Sequence, residues 1–276
     1  MSSGEPVDGE PPLLDVRAEA GFATGHVPGA ASIALEELGQ RTHELPPASR
    51  TLRVIDSDPD RATVAAEFLR RRGHRIHIVP WTAQLATESG PPRAVLWRPN
   101  PFLVEALEVI GSNCDARSGL RAMDVACGSG RDAVYLALQG YNVLAVDLLP
   151  DALDRAADLA RRNRVRLATL AMNVETGPAL PPGMFDLVTV FRFLHRPLFP
   201  LLRRAVAPGG YIVYETFHQR NRETGSRPND PAHLLSTGEL SAAFEGFDVR
   251  ISRDAVERDG RFFSSLLARR PNALGA

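Results

Sequence analysis

Apolar and polar positions along the chain fall into two successive patterns of short apolar runs and helically spaced stretches. In the first, residues 13–17, 52–55 and 76–79 have the length and composition of strands. Residues 61–72 repeat apolar positions at helical spacing, with Val64, Ala65, Phe68 and Leu69 expected to face inward. The stretch 80–100 interrupts this pattern, because Gly90-Pro91-Pro92 and Pro99-Asn100-Pro101 do not fit inside a helix. Helical spacing returns at 102–110 and opens the second pattern. Strands are expected there at 123–126, 141–146, 165–172, 183–191 and 211–217, with helices at 131–139, 152–161 and 198–206 between them. That alternation predicts a mostly parallel sheet covered by helices on both faces. A helix at 236–244 and an antiparallel pair, 247–251 with 262–268, bring the sheet to seven strands. The expected organisation is a small α/β domain over 1–80, a linker over 81–100 and a larger α/β domain over 101–276.

Composition narrows the class. The 276 residues suffice for two domains of about 100–200 residues each. A net charge of −1 provides no basic field for nucleic acid or an anionic membrane, so neither is an expected partner. No stretch approaches the ~20 apolar residues of a membrane span. The opening MSSGEPVDGEPP is polar, without a hydrophobic signal core, and a cytoplasmic location is expected. Cys114 and Cys127 are too few for a disulfide framework or a cysteine zinc site, and no metal is expected.

The chemistry concentrates after residue 122. Gly128 and Gly130 follow the first strand of the larger pattern, where a backbone free of Cβ atoms turns sharply and admits a ligand. Asp147 ends the next strand 19 residues after Gly128, the position from which an acid grips a ribose in nucleotide-binding βαβ units. A dinucleotide site remains open as an alternative, since Ala133 stands where the third glycine or alanine of G-x-G-x-x-G/A would fall. Asp124 argues against it: an acid ending the first strand repels a pyrophosphate and suits an ammonium.

The run D-V-A-C-G-S-G-R-D resembles the first motif of class I S-adenosylmethionine-dependent methyltransferases. FDLVTVFRFLH with APGGYIVYETF extends the likeness over about residues 120–217. The resemblance implies a Rossmann-like seven-stranded sheet with S-adenosylmethionine held by Asp124, Gly128, Gly130, Asp147, Leu148, Asn173, Val174 and Phe191. Asn173 would meet the adenine amine through its side-chain carbonyl. The segment RFLHRPL looks most like the tellurite-resistance-type and thiol-type small-molecule methyltransferases. That likeness implies a small acceptor, a thiol or a chalcogen oxyanion, near Arg192, His195, Arg196 and Glu215. A sensor that binds S-adenosylmethionine without catalysis and an NAD-dependent oxidoreductase are the alternatives.

LLDVR, GHVPGA and the strand–loop–helix after Leu52 resemble a rhodanese domain over most of its length. Asp56 falls where an active rhodanese carries its nucleophilic cysteine, and a carboxylate cannot carry a persulfide. The module is therefore expected to be non-catalytic.

Overall fold

The computed structural model describes residues 10–111, 118–177, 180–181 and 184–272. Cys114 and Gly183 lie outside the described residues. The chain divides into two compact units, Met1–Arg98 and Pro99–Ala276.

In the first unit, β1 (Leu13–Asp15), β2 (Ala31–Ser32), β3 (Thr51–Ile55) and β4 (Arg75–Ile78) form a parallel sheet in the order β2-β1-β3-β4. Helix α1 (Glu19–Thr24) follows β1, and α2 (Pro59–Arg70) joins β3 to β4. Helix α2 starts two residues earlier than the periodicity suggests. Asp58 caps it by accepting from the Asp60 amide, and Pro59 occupies the first turn, where no amide donor is needed. Its buried face is Ala62, Ala65, Ala66 and Leu69, whereas Val64, expected inward, is 53% exposed. Residues expected as linker contribute to this unit. His26 and Glu88 form a β-bridge, and Leu96 joins the core cluster around Leu14, Val54 and Leu69.

The second unit opens with α3 (Pro101–Ile110) and continues through β5 (Arg121–Val125), α4 (Arg131–Leu138), β6 (Asn142–Asp147), α5 (Pro150–Arg162) and β7 (Ala168–Ala171). It then runs through β8 (Phe185–Phe191), α6 (Phe199–Ala205), β9 (Val206–Phe217), α7 (Glu239–Ala243), β10 (Asp248–Arg258) and β11 (Arg261–Arg269). Among the described residues these strands form one seven-stranded sheet, β10-β11-β9-β8-β5-β6-β7. The five central and outer strands β9, β8, β5, β6 and β7 pair in parallel, and β11 pairs antiparallel with both β9 and β10. Alternate side chains of each central strand enter different cores: Met123 and Val125 one, Ala122 the other; Ile212 and Tyr214 one, Val213 the other.

Two boundaries differ from the expectation for local reasons. The run Ala207-Pro208-Gly209-Gly210, read as a turn, lies within β9. Val206 already pairs with Phe185, and an irregularity absorbs the glycines before Leu187 meets Tyr211. The closing hairpin is longer than its apolar runs because its tip, Asp259-Gly260, has positive φ at both residues and holds Arg258 opposite Arg261.

Candidate active site

The parallel strands end on one edge of the sheet, and the turn after β5 lies there. Ala126, Gly128 and Gly130 all have positive φ, at 56°, 54° and 76°. Alternation of left-handed residues folds the turn back, with the Gly130 amide donating to the Cys127 carbonyl at 3.0 Å. The turn is also tied to the next strand. Gly128 N donates to Asp147 Oδ2 at 2.8 Å and Leu149 N donates to Oδ1 at 3.0 Å, so Asp147 fixes both loops at the edge.

The two glycines serve different needs. A Cβ on Gly128 would meet nothing within 4 Å, so open space lies beside this residue. A Cβ on Gly130 would stand 2.4 Å from Ala156 Cβ. Gly130, expected as a cofactor contact, is required by the close approach of α5 to the start of α4.

Asp124 is 2% exposed. Its Oδ1 accepts from Thr189 Oγ1 at 2.8 Å, and its Oδ2 is buried with no hydrogen-bond partner. Burial, and then the neighbouring carboxylate of Asp132, hold its pKa well above the ordinary carboxylate range. A buried acid with an orphaned oxygen is the complement of a cation. With the open space at Gly128 and the half-buried carboxylate of Asp147, it fits the ammonium and ribose ends of S-adenosylmethionine. Leu148 is 56% exposed, Val174 packs against the core, and Phe191 is buried at the end of β8. The Asn173 carbonyl, expected to meet an adenine amine, is turned to the backbone. It accepts from Glu175 N at 2.9 Å and Thr176 N at 3.3 Å, the turn-forming role of an Asn after a strand.

The residues expected on the acceptor side separate in the same way. Arg192 follows β8 with φ 57°, its amide donates to the Glu215 carbonyl at 2.8 Å, and its side chain is exposed. His195 is half-buried at the start of a 3-10 turn, Arg196–Leu198. Arg196 is not free for a ligand. Its Nε and Nη2 donate to Glu239 at 2.5 and 3.0 Å, and Nη1 and Nη2 donate to the Ala232 and Leu234 carbonyls. Glu215 is 1% exposed and likewise committed. Oε1 accepts from Asn100 Nδ2 at 3.0 Å, Oε2 accepts from Ser265 Oγ at 2.7 Å, and Arg258 forms an ion pair with it. Sequence reasoning passed over Asp132, the second residue of α4, whose Oδ1 accepts from Asn100 N at 2.6 Å. Burial, and then Asp124, push the Cys127 thiol pKa up, away from the reactive thiolate.

In the first unit Asp56 is 3% exposed at the end of β3. Its Oδ1 accepts from Asp58 N at 3.0 Å, and Oδ2 pairs with Arg61 Nε at 3.1 Å. Arg61 reaches on to Glu36 at 2.7 Å. The loop thus closes around its own carboxylate.

Residues 122–210 match a family described as methyltransferase domain. Residues 3–80 match a family described as rhodanese-like domain, so the two matched segments follow one another along the chain. An uncharacterized protein of Schizosaccharomyces pombe is 24% identical over 322 residues, covering 96% of this chain and 95% of that protein. A ubiquinone biosynthesis O-methyltransferase of Rickettsia felis is 38% identical over 82 residues, which is 29% of this chain and 34% of that enzyme. The chain thus spans about a third of the length of that O-methyltransferase. Among solved structures, TehB from Haemophilus influenzae shares the fold, with a TM-score of 0.51 and 17% identity over 62% of each chain. Among the described residues of the methyltransferase domain and the rest of the chain, no helix is long and apolar enough to cross a membrane.

Proposed function

We propose that the second unit binds S-adenosylmethionine and methylates a small-molecule acceptor. The observation that carries this reading is Asp124: a buried acid with an orphaned oxygen, beneath a glycine turn with open space at Gly128 and beside the Asp147 carboxylate. Asp124 would pair with the cofactor ammonium and Asp147 would accept from its ribose hydroxyls. The match of residues 122–210 to methyltransferase domains supports the same assignment.

Bound S-adenosylmethionine supplies an electrophilic methyl group on a sulfonium. The chain's own contribution is position and exclusion of water. Val125, Val190 and Phe191 are buried at the ends of β5 and β8, and His195 follows β8 at the same edge, where it would face the acceptor. A soft nucleophile such as a thiolate needs no general base once ionised, which suits a site where Arg196 and Glu215 are taken up by structure.

Calorimetric titration of the full chain with S-adenosylhomocysteine tests the reading. Binding is expected in the parent, and Asp147→Ala should weaken it by roughly tenfold or more, since hydrogen bonds to a charged acceptor contribute about 1.5–3 kcal/mol each. Equal affinity in parent and variant sinks the site, and absence of binding in the parent sinks the function.

A further inference from the structure

Three arginines converge on the ligand edge without partners. Arg192 follows β8, Arg131 begins α4 after the glycine turn, and Arg261 begins β11. Strands β5 and β8 are parallel neighbours, so Arg131, beyond the turn after β5, and Arg192, directly after β8, lie at the same edge of the sheet, and the charge of Arg131 acts on Arg192. Strand β11 runs antiparallel to β9, and Phe263 pairs with Phe217 at the end of β9, which brings Arg261 to the same edge. Among the described residues none of the three guanidinium groups makes a hydrogen bond or ion pair; Arg261 only overlies the Phe217 ring at 5.9 Å.

The nearby carboxylates do not satisfy them. Asp132 accepts from Asn100, and Glu215 accepts from Asn100 and Ser265 while paired with Arg258. Desolvation and then the charges of Arg261 and Arg131 depress the pKa of Arg192, a net effect that the opposing charges of Asp132 and Glu215 do not cancel. Crowded, unpaired, solvent-accessible guanidinium groups at a ligand edge are a receptor for an anion.

We propose that Arg131, Arg192 and Arg261 clamp a carboxylate or oxyanion carried by the methyl acceptor. The inference rests on the methyltransferase reading and names the substrate class for the same site. Position in the sheet favours the acceptor over the cofactor. Asp124 and Asp147 belong to β5 and β6, whereas Arg192 directly follows β8 and Arg261 begins β11, on the other side of β5. Arg196, the arginine next along the chain, is excluded by its four bonds to Glu239, Ala232 and Leu234.

The test uses the full chain saturated with S-adenosylhomocysteine and three probes: thiosalicylate, its neutral methyl ester and inorganic phosphate. Thiosalicylate is expected to bind at least about tenfold tighter than the ester, the effect of one or two charge-assisted bonds. Arg192→Gln and Arg261→Gln should erase that preference while changing affinity for S-adenosylhomocysteine less than about twofold. The clamp is overturned if neither anion outbinds the ester in the parent, or if both variants keep the preference. It is equally overturned if the variants lose S-adenosylhomocysteine instead, which would assign the arginines to the cofactor carboxylate. Failure of the parent to bind S-adenosylhomocysteine at all refutes the methyltransferase reading, a result separate from any of these.

Discussion

At the scale of single residues, Asp124 joins two opposed requirements. Its burial raises its pKa, so the folded protein holds the proton to a higher pH than the unfolded chain, where a carboxyl ionises near about 3.9. Between those two values the folded state binds more protons, and stability falls as pH rises through that window. Asp124→Asn removes this cost. Urea denaturation is therefore expected to show the ligand-free parent losing stability relative to the Asn variant as pH rises above about 4. Affinity for S-adenosylhomocysteine should move the opposite way. The parent should bind more tightly as pH rises through the same window, because an ammonium favours the ionised acid, and the variant should bind weakly and without that dependence. A variant whose stability and affinity both track the parent would remove Asp124 from the site. Asp124, Gly128 and Asp147 were legible in the sequence because spacing along one βαβ unit positions them. Arg196 and Glu215 were not, because their partners Glu239 and Asn100 lie 43 and 115 residues away. The bonds that the Asn173 carbonyl accepts from the Glu175 and Thr176 amides were not legible either, because main-chain groups carry no sequence signal.

At the scale of elements, the glycine turn divides into a packed half at Gly130 and an open half at Gly128. Gly130→Ala drives a methyl group into Ala156 where α4 and α5 meet, and overpacking costs about 1–3 kcal/mol, with a further cost for an alanine at φ 76°. Ala156→Gly in the same chain should recover part of that loss. Gly128→Ala meets no protein atom within 4 Å, so its melting temperature should fall less, while affinity for S-adenosylhomocysteine should fall more. Reversal of this order in melting and titration experiments would assign Gly128 to packing. Element boundaries were legible where a strand is buried on both faces, as in β5 and β6. They were lost in β10, whose residues Asp248, Arg250, Arg253 and Arg258 face solvent or ion pairs on an edge strand and break the apolar signal.

At the scale of the whole molecule, both cysteines fall in the second unit, and residues 1–98 carry none. With Asp56 bonded to Arg61 and to the Asp58 amide, the first unit is expected to be non-catalytic as a rhodanese. The full chain is expected to form thiocyanate from thiosulfate and cyanide no faster than buffer, measured colorimetrically; a protein-dependent rate would show that another group carries sulfur. The order of strands has a consequence for biosynthesis. Of the strands of this sheet β11 is the last to leave the ribosome, yet it lies between β9 and β10, with residues 262–268 all buried. Until those residues emerge, β9 offers the nascent chain an open edge of unpaired amides and carbonyls. Translation stalled before Arg261 would yield a product prone to aggregate through β9, although every residue of the cofactor turn would already have been made.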